Sequence, residues 1–91
     1  MGSFLMYRII IKKTAKKFID RLPQNEKKRV VAAIEQLPNN GDVKRMAGKY
    51  NRDLFRLRVG EYRIIYTIDA GVLTIYILDA GNRGEIYRRY S

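Results

Sequence analysis

The apolar residues of this chain change their period once, and that change limits the folds open to it. Between Ala15 and Leu37 they recur at steps of three and four; from Leu54 to Ala80 they follow a period of two. The first spacing lines one stripe of a helix, the second one face of a strand. A helix stripe and a sheet face each need an apolar cover, and here each can supply the other's. The expectation is a two-layer α+β domain: an N-terminal strand, then an antiparallel helical hairpin packed on an antiparallel β-meander.

The elements can be placed one by one. Residues 7–11 form a short β-branched run that reads as a first strand. Thr14 then stands as a helix N-cap before Ala15, Phe18, Ile19 and Leu22. Pro23 ends that helix, and Asn25 is read as the cap of a second one, whose inner face is Val30, Val31, Ile34 and Leu37. Pro38-Asn39-Asn40-Gly41 stops it, and residues 42–53, with little periodicity, read as a loop. The meander follows as strands 54–59, 62–68 and 72–80, joined at Gly60-Glu61 and Asp69-Ala70-Gly71. Residues 82–91 read as a basic, tyrosine-bearing tail, and the first strand is expected beside the last or next-to-last.

Composition narrows the chemistry. At 91 residues the chain is one domain, read as 6–91; residues 1–5 read as a cloning remnant or short native extension, with Met6 as the natural start. It contains neither cysteine nor histidine, so disulfides, the usual zinc and iron ligand sets and the commonest proton shuttle at neutral pH are all missing. No cofactor or metal is expected. No run approaches the roughly 18 apolar residues of a membrane span, nor does the start resemble a signal peptide, so the cytoplasm is the default location. Nineteen Lys and Arg against nine Asp and Glu leave a net charge of +10. Such a field favours polyanions, because neutralising phosphates releases condensed counterions. Nucleic acid is the leading expectation, with an acidic protein partner compatible with it.

Strand alternation puts Arg56 and Arg58 on the sheet face away from the helices, opposite Phe55, Leu57 and Val59. Arg63 lies across the tight turn, Arg83 just past the last strand, and Tyr87 four residues beyond it. Arg63 and Arg83 both fall outside the apolar pattern. If the meander pairs as read, four arginines and a tyrosine converge. Lys44, Arg45, Lys49 and Arg52 in the long loop are expected to hold an RNA backbone. Lys12, Lys13, Lys16 and Lys17 around the first helix fit either phosphate contacts or a solvated face. Tyr62, Tyr66 and Tyr76 read as packing residues.

The run from Arg56 to Tyr66, RLRVGEYRIIY, is similar to the central hairpin of RelE/ParE-superfamily toxins. The run from Ala80 to Tyr87, AGNRGEIY, resembles their glycine, basic residue, arginine and tyrosine ending. The resemblance extends over nearly the whole chain from Met6. It implies a metal-independent endoribonuclease, the toxin of a type II toxin–antitoxin pair, which cuts messenger RNA in the ribosomal A site. In that reaction the 2′-hydroxyl attacks the adjacent phosphate and leaves a cyclic phosphate and a free 5′-hydroxyl. Carried across, Arg63 stabilises the phosphate, and Arg83 assists the transition state or leaving group. Tyr87 stacks on or orients the substrate or takes part in proton transfer. Arg56 falls where well-known members carry a lysine, and the place of a second lysine is taken by Leu54, so the general base stays open. Asn82 stands where many relatives have histidine or lysine. The implied partners are an acidic, partly disordered antitoxin, the ribosome and mRNA. A ParE-like gyrase inhibitor and an RNA- or ribosome-binding homologue that does not cut are the alternatives on the same fold.

Overall fold

The structure, a computed structural model, describes residues 7–47 and 53–90. Its elements run β1 (Arg8–Ile11), α1 (Lys13–Asp20), α2 (Gln24–Glu35), β2 (Asp42–Arg45), β3 (Phe55–Val59), β4 (Tyr62–Asp69), β5 (Thr74–Asn82) and α3 (Arg83–Tyr90). The strands make one sheet in the order β1-β5-β4-β3-β2. The meander is antiparallel, and β1 joins β5 in parallel, so the first strand does lie beside the last.

The two periods meet as expected. Ala15 and Ile19 from α1 and Val30 and Ile34 from α2 pack on Leu57, Val59, Ile64, Tyr66, Ile75 and Ile77. Phe55 stacks on Tyr66 at 5.4 Å and Phe18 meets the edge of Tyr62 at 5.8 Å, both favoured aromatic geometries. Asp20 ties the hairpin together, accepting from Lys16 of its own helix at 2.6 Å and pairing with Lys27 of α2 at 3.0 Å. Those hydrogen bonds hold its carboxyl below the usual carboxylate range.

Four local expectations need correction. Neither Thr14 nor Asn25 is a cap. The N-caps are Lys12 and Pro23, without side-chain capping bonds, and both expected caps sit inside the first turn. The Lys12 N–H donates to the Ile77 carbonyl, so the helix starts directly off the β1–β5 ladder. The expected loop begins with an edge strand, β2, all four of whose residues are exposed. With no buried face it leaves no alternation to read; pairing with β3 alone defines it. Finally, the expected tail is the helix α3. Asn82 stands just before it, and its N–H donates to the Glu85 carboxylate at 3.0 Å, one half of a capping box.

The helix α3 lies on the sheet face that the hairpin leaves open. Ile86 packs there with Leu54 and Ile65, joined by Met46, Leu78 and Tyr90. Its approach is close at Gly81, where an added Cβ would come within 3.1 Å of Arg89 Nη2.

Candidate functional site

Cross-strand partners share a sheet face, and the register stacks cations on the face that carries α3. Lys44 stands opposite Arg56, Arg58 opposite Arg63, and Arg63 opposite Gly81. At the end of β5 the chain turns into α3, and the Arg83 N–H donates to the Glu61 carbonyl at 2.8 Å, tying the helix start to the β3–β4 turn. One turn later α3 presents Tyr87, 72% exposed. The result is a pocket of about 670 Å³ walled by Lys44, Arg56, Arg63, Arg83, Tyr87 and Tyr90, with Met46 and Ile86 supplying apolar surface.

Arg63 is the deepest of these cations, only 9% exposed, although its sequence pattern placed it outside the core. Its Nη1 donates to the carbonyls of Gly60 at 2.8 Å and Tyr62 at 3.0 Å, so the guanidinium is held by the turn it follows. Gly60 makes that turn possible with φ +59°, a left-handed conformation that side chains resist. Burial first, then the charges of Arg58, Arg56 and Arg83, push the Arg63 guanidinium below its ordinary range. An arginine stays protonated nonetheless, so the pocket floor is a concentrated positive charge.

Three cations of β2, β3 and α3 have carboxylate partners. Arg58 pairs with Asp42 at 3.6 Å, Arg45 with Asp53 at 2.6 Å, and Arg89 with Asp79 at 3.1 Å. Among the described residues no carboxylate pairs with Lys44, Arg56, Arg63 or Arg83. The Arg56 Nε is buried with no hydrogen-bond partner. Clustered unpaired cations and an unsatisfied donor are costly, and an anion with several acceptor oxygens relieves both.

The structure therefore brings together Arg56, Arg63, Arg83 and Tyr87, and adds Lys44 from β2 rather than from a loop. Arg58 shares their face but is held by Asp42. Arg45 stands opposite Phe55, on the hairpin side of the sheet, and is committed to Asp53. Lys49 and Arg52 lie outside the described residues. Tyr90 and Asp79 were missed by sequence reasoning. The Asn82-x-x-Glu85 capping pattern signals the helix that carries Tyr90; nothing local marks Asp79.

The sequence and fold that carry this basic pocket have known relatives. The family model described as "ParE toxin of type II toxin-antitoxin system, parDE" matches residues 9–87. The chain belongs to this RelE/ParE family of type II toxin–antitoxin toxins. It is similar to Toxin RelG of Mycobacterium tuberculosis, 31% identical over 90 residues that cover 91% of this chain and 98% of that one. Its structure resembles the archaeal RelE–RelB complex from Pyrococcus horikoshii, with a TM-score of 0.70 at 32% identity over 87% of this chain and 97% of that chain. The RelB–RelE complex of Methanococcus jannaschii is similar too, with a TM-score of 0.69 at 27% identity over 90% and 99%.

Proposed function

We propose that this toxin is a metal-independent endoribonuclease that cleaves messenger RNA in the ribosomal A site. The observation that carries the reading is the pocket wall: four cations without carboxylate partners among the described residues, beside an exposed phenol. A pentacoordinate phosphorane concentrates negative charge on its non-bridging oxygens, and preorganised guanidinium donors favour it over the ground state. Arg63 and Arg56, on the floor, hold those oxygens. Arg83, fixed at the start of α3, meets the negative charge that develops in the transition state. Tyr87 stacks on or orients the nucleotide at the mouth. The 2′-oxygen attacks phosphorus, the bond to O5′ breaks, and the products are a cyclic phosphate and a 5′-hydroxyl.

Such a site supplies charge and orientation but only weak base catalysis, so it gains most from a ribosome that aligns the RNA for in-line attack. The same reading gives the toxin a cytoplasmic setting and an acidic antitoxin as partner, as the two archaeal relatives are complexes of RelE with RelB.

The test is translation in vitro with purified chain, followed by primer extension on the mRNA. The expected result is cleavage at A-site codons that needs the ribosome and survives chelation of metals beyond the ribosome's own requirement. Equal cutting of naked RNA would remove the ribosome from the mechanism. Intact mRNA together with inhibited gyrase supercoiling would establish the ParE-like activity instead; intact mRNA on stalled ribosomes would establish binding without cutting.

A further inference from the structure

An in-line displacement at phosphorus places the entering and leaving oxygens on opposite sides, and each has its own proton to exchange. The pocket is built with two such sides. Tyr87 arrives on α3, which packs over β5 and β4, whereas Lys44 arrives on β2, at the far edge beyond β3. Arg56 and Arg63 lie on the intervening strands β3 and β4. Guanidinium groups give up protons poorly, and the Tyr90 hydroxyl already donates to Asp79 at 3.0 Å. Lys44 and Tyr87 are then the wall's proton-exchanging groups.

Lys44 is also free to act. It stands directly opposite Arg56, and Asp42, its neighbour two residues back on the same face, is engaged by Arg58. An alkylammonium is protonated at neutral pH and releases its proton far more readily than a guanidinium does.

We propose that Lys44 is the general acid of this site. Its ammonium gives a proton to O5′ as the bond from phosphorus to O5′ breaks, while the bond from O2′ to phosphorus forms. The 2′-hydroxyl proton leaves to water at the mouth beside Tyr87, and the Lys44 amine is reprotonated from water. The assignment rests on the nuclease reading above, and makes Lys44 a catalytic residue rather than a backbone contact.

The experiment compares single-turnover cleavage by wild type, Lys44→Ala and Lys44→Arg on ribosomes programmed with two mRNAs. One mRNA is ordinary; the other carries a sulfur in place of O5′ at the scissile linkage, and its thiolate departs without needing a proton. On ordinary mRNA both variants should lose on the order of 10²–10⁴ in rate, the usual reach of general acid catalysis. On the sulfur-substituted mRNA both should return to within a few-fold of wild type. Lys44 is exposed on an edge strand, and thermal melting verifies the fold; if Lys44→Ala fails to fold, Lys44→Arg decides alone. A Lys44→Arg enzyme at full rate on ordinary mRNA would show that charge suffices and overturn the assignment. Equal losses on both mRNAs would overturn it too, in favour of phosphate binding. Wild type that cuts neither mRNA would remove the nuclease reading itself, and the acid with it.

Discussion

Arg63 and Arg83 face the same pocket from different structural footings. The Arg63 side chain is nearly buried and spans two turn carbonyls, whereas Arg83 is exposed and is anchored through its backbone. Arg83→Ala leaves the anchor in place, so thermal stability should stay within about 0.5 kcal/mol of wild type. Cleavage should fall by roughly 10² to 10³, the usual cost of removing one electrostatic donor. Growth arrest should disappear with it. Arg63→Ala should lose activity similarly and also about 1–3 kcal/mol of stability, because two carbonyls near the turn lose their donor. Relief of repulsion from Arg56, Arg58 and Arg83 offsets part of that loss. Denaturant melts of the two variants, beside induction in growing cells, separate these effects. A stable, folded Arg83→Ala protein that still arrests growth would contradict the proposed role.

At the scale of elements, the site depends on how α3 is held. Ile65 pairs with Asp79 while Tyr66 pairs with Ile77, so Leu78 is an extra residue in β5. Such a bulge shifts the parity of the strand end. Ile77 and Ala80 both reach the main core, while Leu78 packs in the small cluster under α3. Asp79, 5% exposed, receives both Nε and Nη2 of Arg89, the Tyr90 hydroxyl and the Ala80 N–H. This carboxylate clamps the last turn of the helix whose first turn carries Arg83. Asp79→Ala should therefore loosen α3, costing about 1–3 kcal/mol as its donors lose their acceptor. Hydrogen exchange should speed up across residues 83–90 and stay unchanged in α1 and α2. Cleavage should fall although Asp79 does not line the pocket. Unaltered exchange in α3 would show that the apolar contacts of Ile86 hold the helix by themselves.

The molecule as a whole carries +10, and a cluster of its cations, Lys44, Arg56, Arg63 and Arg83, lines one pocket. A partner that silences it through that pocket must bring negative charge, and long-range attraction then governs how quickly they meet. Association with an acidic antitoxin should slow roughly tenfold or more as salt rises from about 0.05 to 0.5 M, because the Debye length contracts to a few ångströms. Dissociation should change much less. Stopped-flow mixing over a salt series measures both, and an association rate indifferent to salt would mean that the partner docks on apolar surface elsewhere.

The same scale explains how much was readable beforehand. The change of period by itself determined the hairpin, the meander and their mutual cover, because a buried face imposes its spacing on the residues that form it. Alternation also determined that Arg56 and Arg58 share the outer face, and the two motifs singled out Arg63, Arg83 and Tyr87. Where no residue of an element is buried, as in β2, no such spacing exists, and only pairing with β3 decided that Lys44 stands across from Arg56. The Asn82 and Glu85 capping pattern marks a helix start that reading residues 82–91 as a tail passes over, while neither the packing of that helix on the outer face nor its latch is written in the local sequence. The bulge at Leu78 reverses the facing of Asp79, and a bulge arises from the fit of two strands rather than from either one. Tertiary structure alone decided which cations were neutralised and which were left unpaired in the pocket. Ion pairing depends on distances between strands, which a periodic pattern along one strand does not contain.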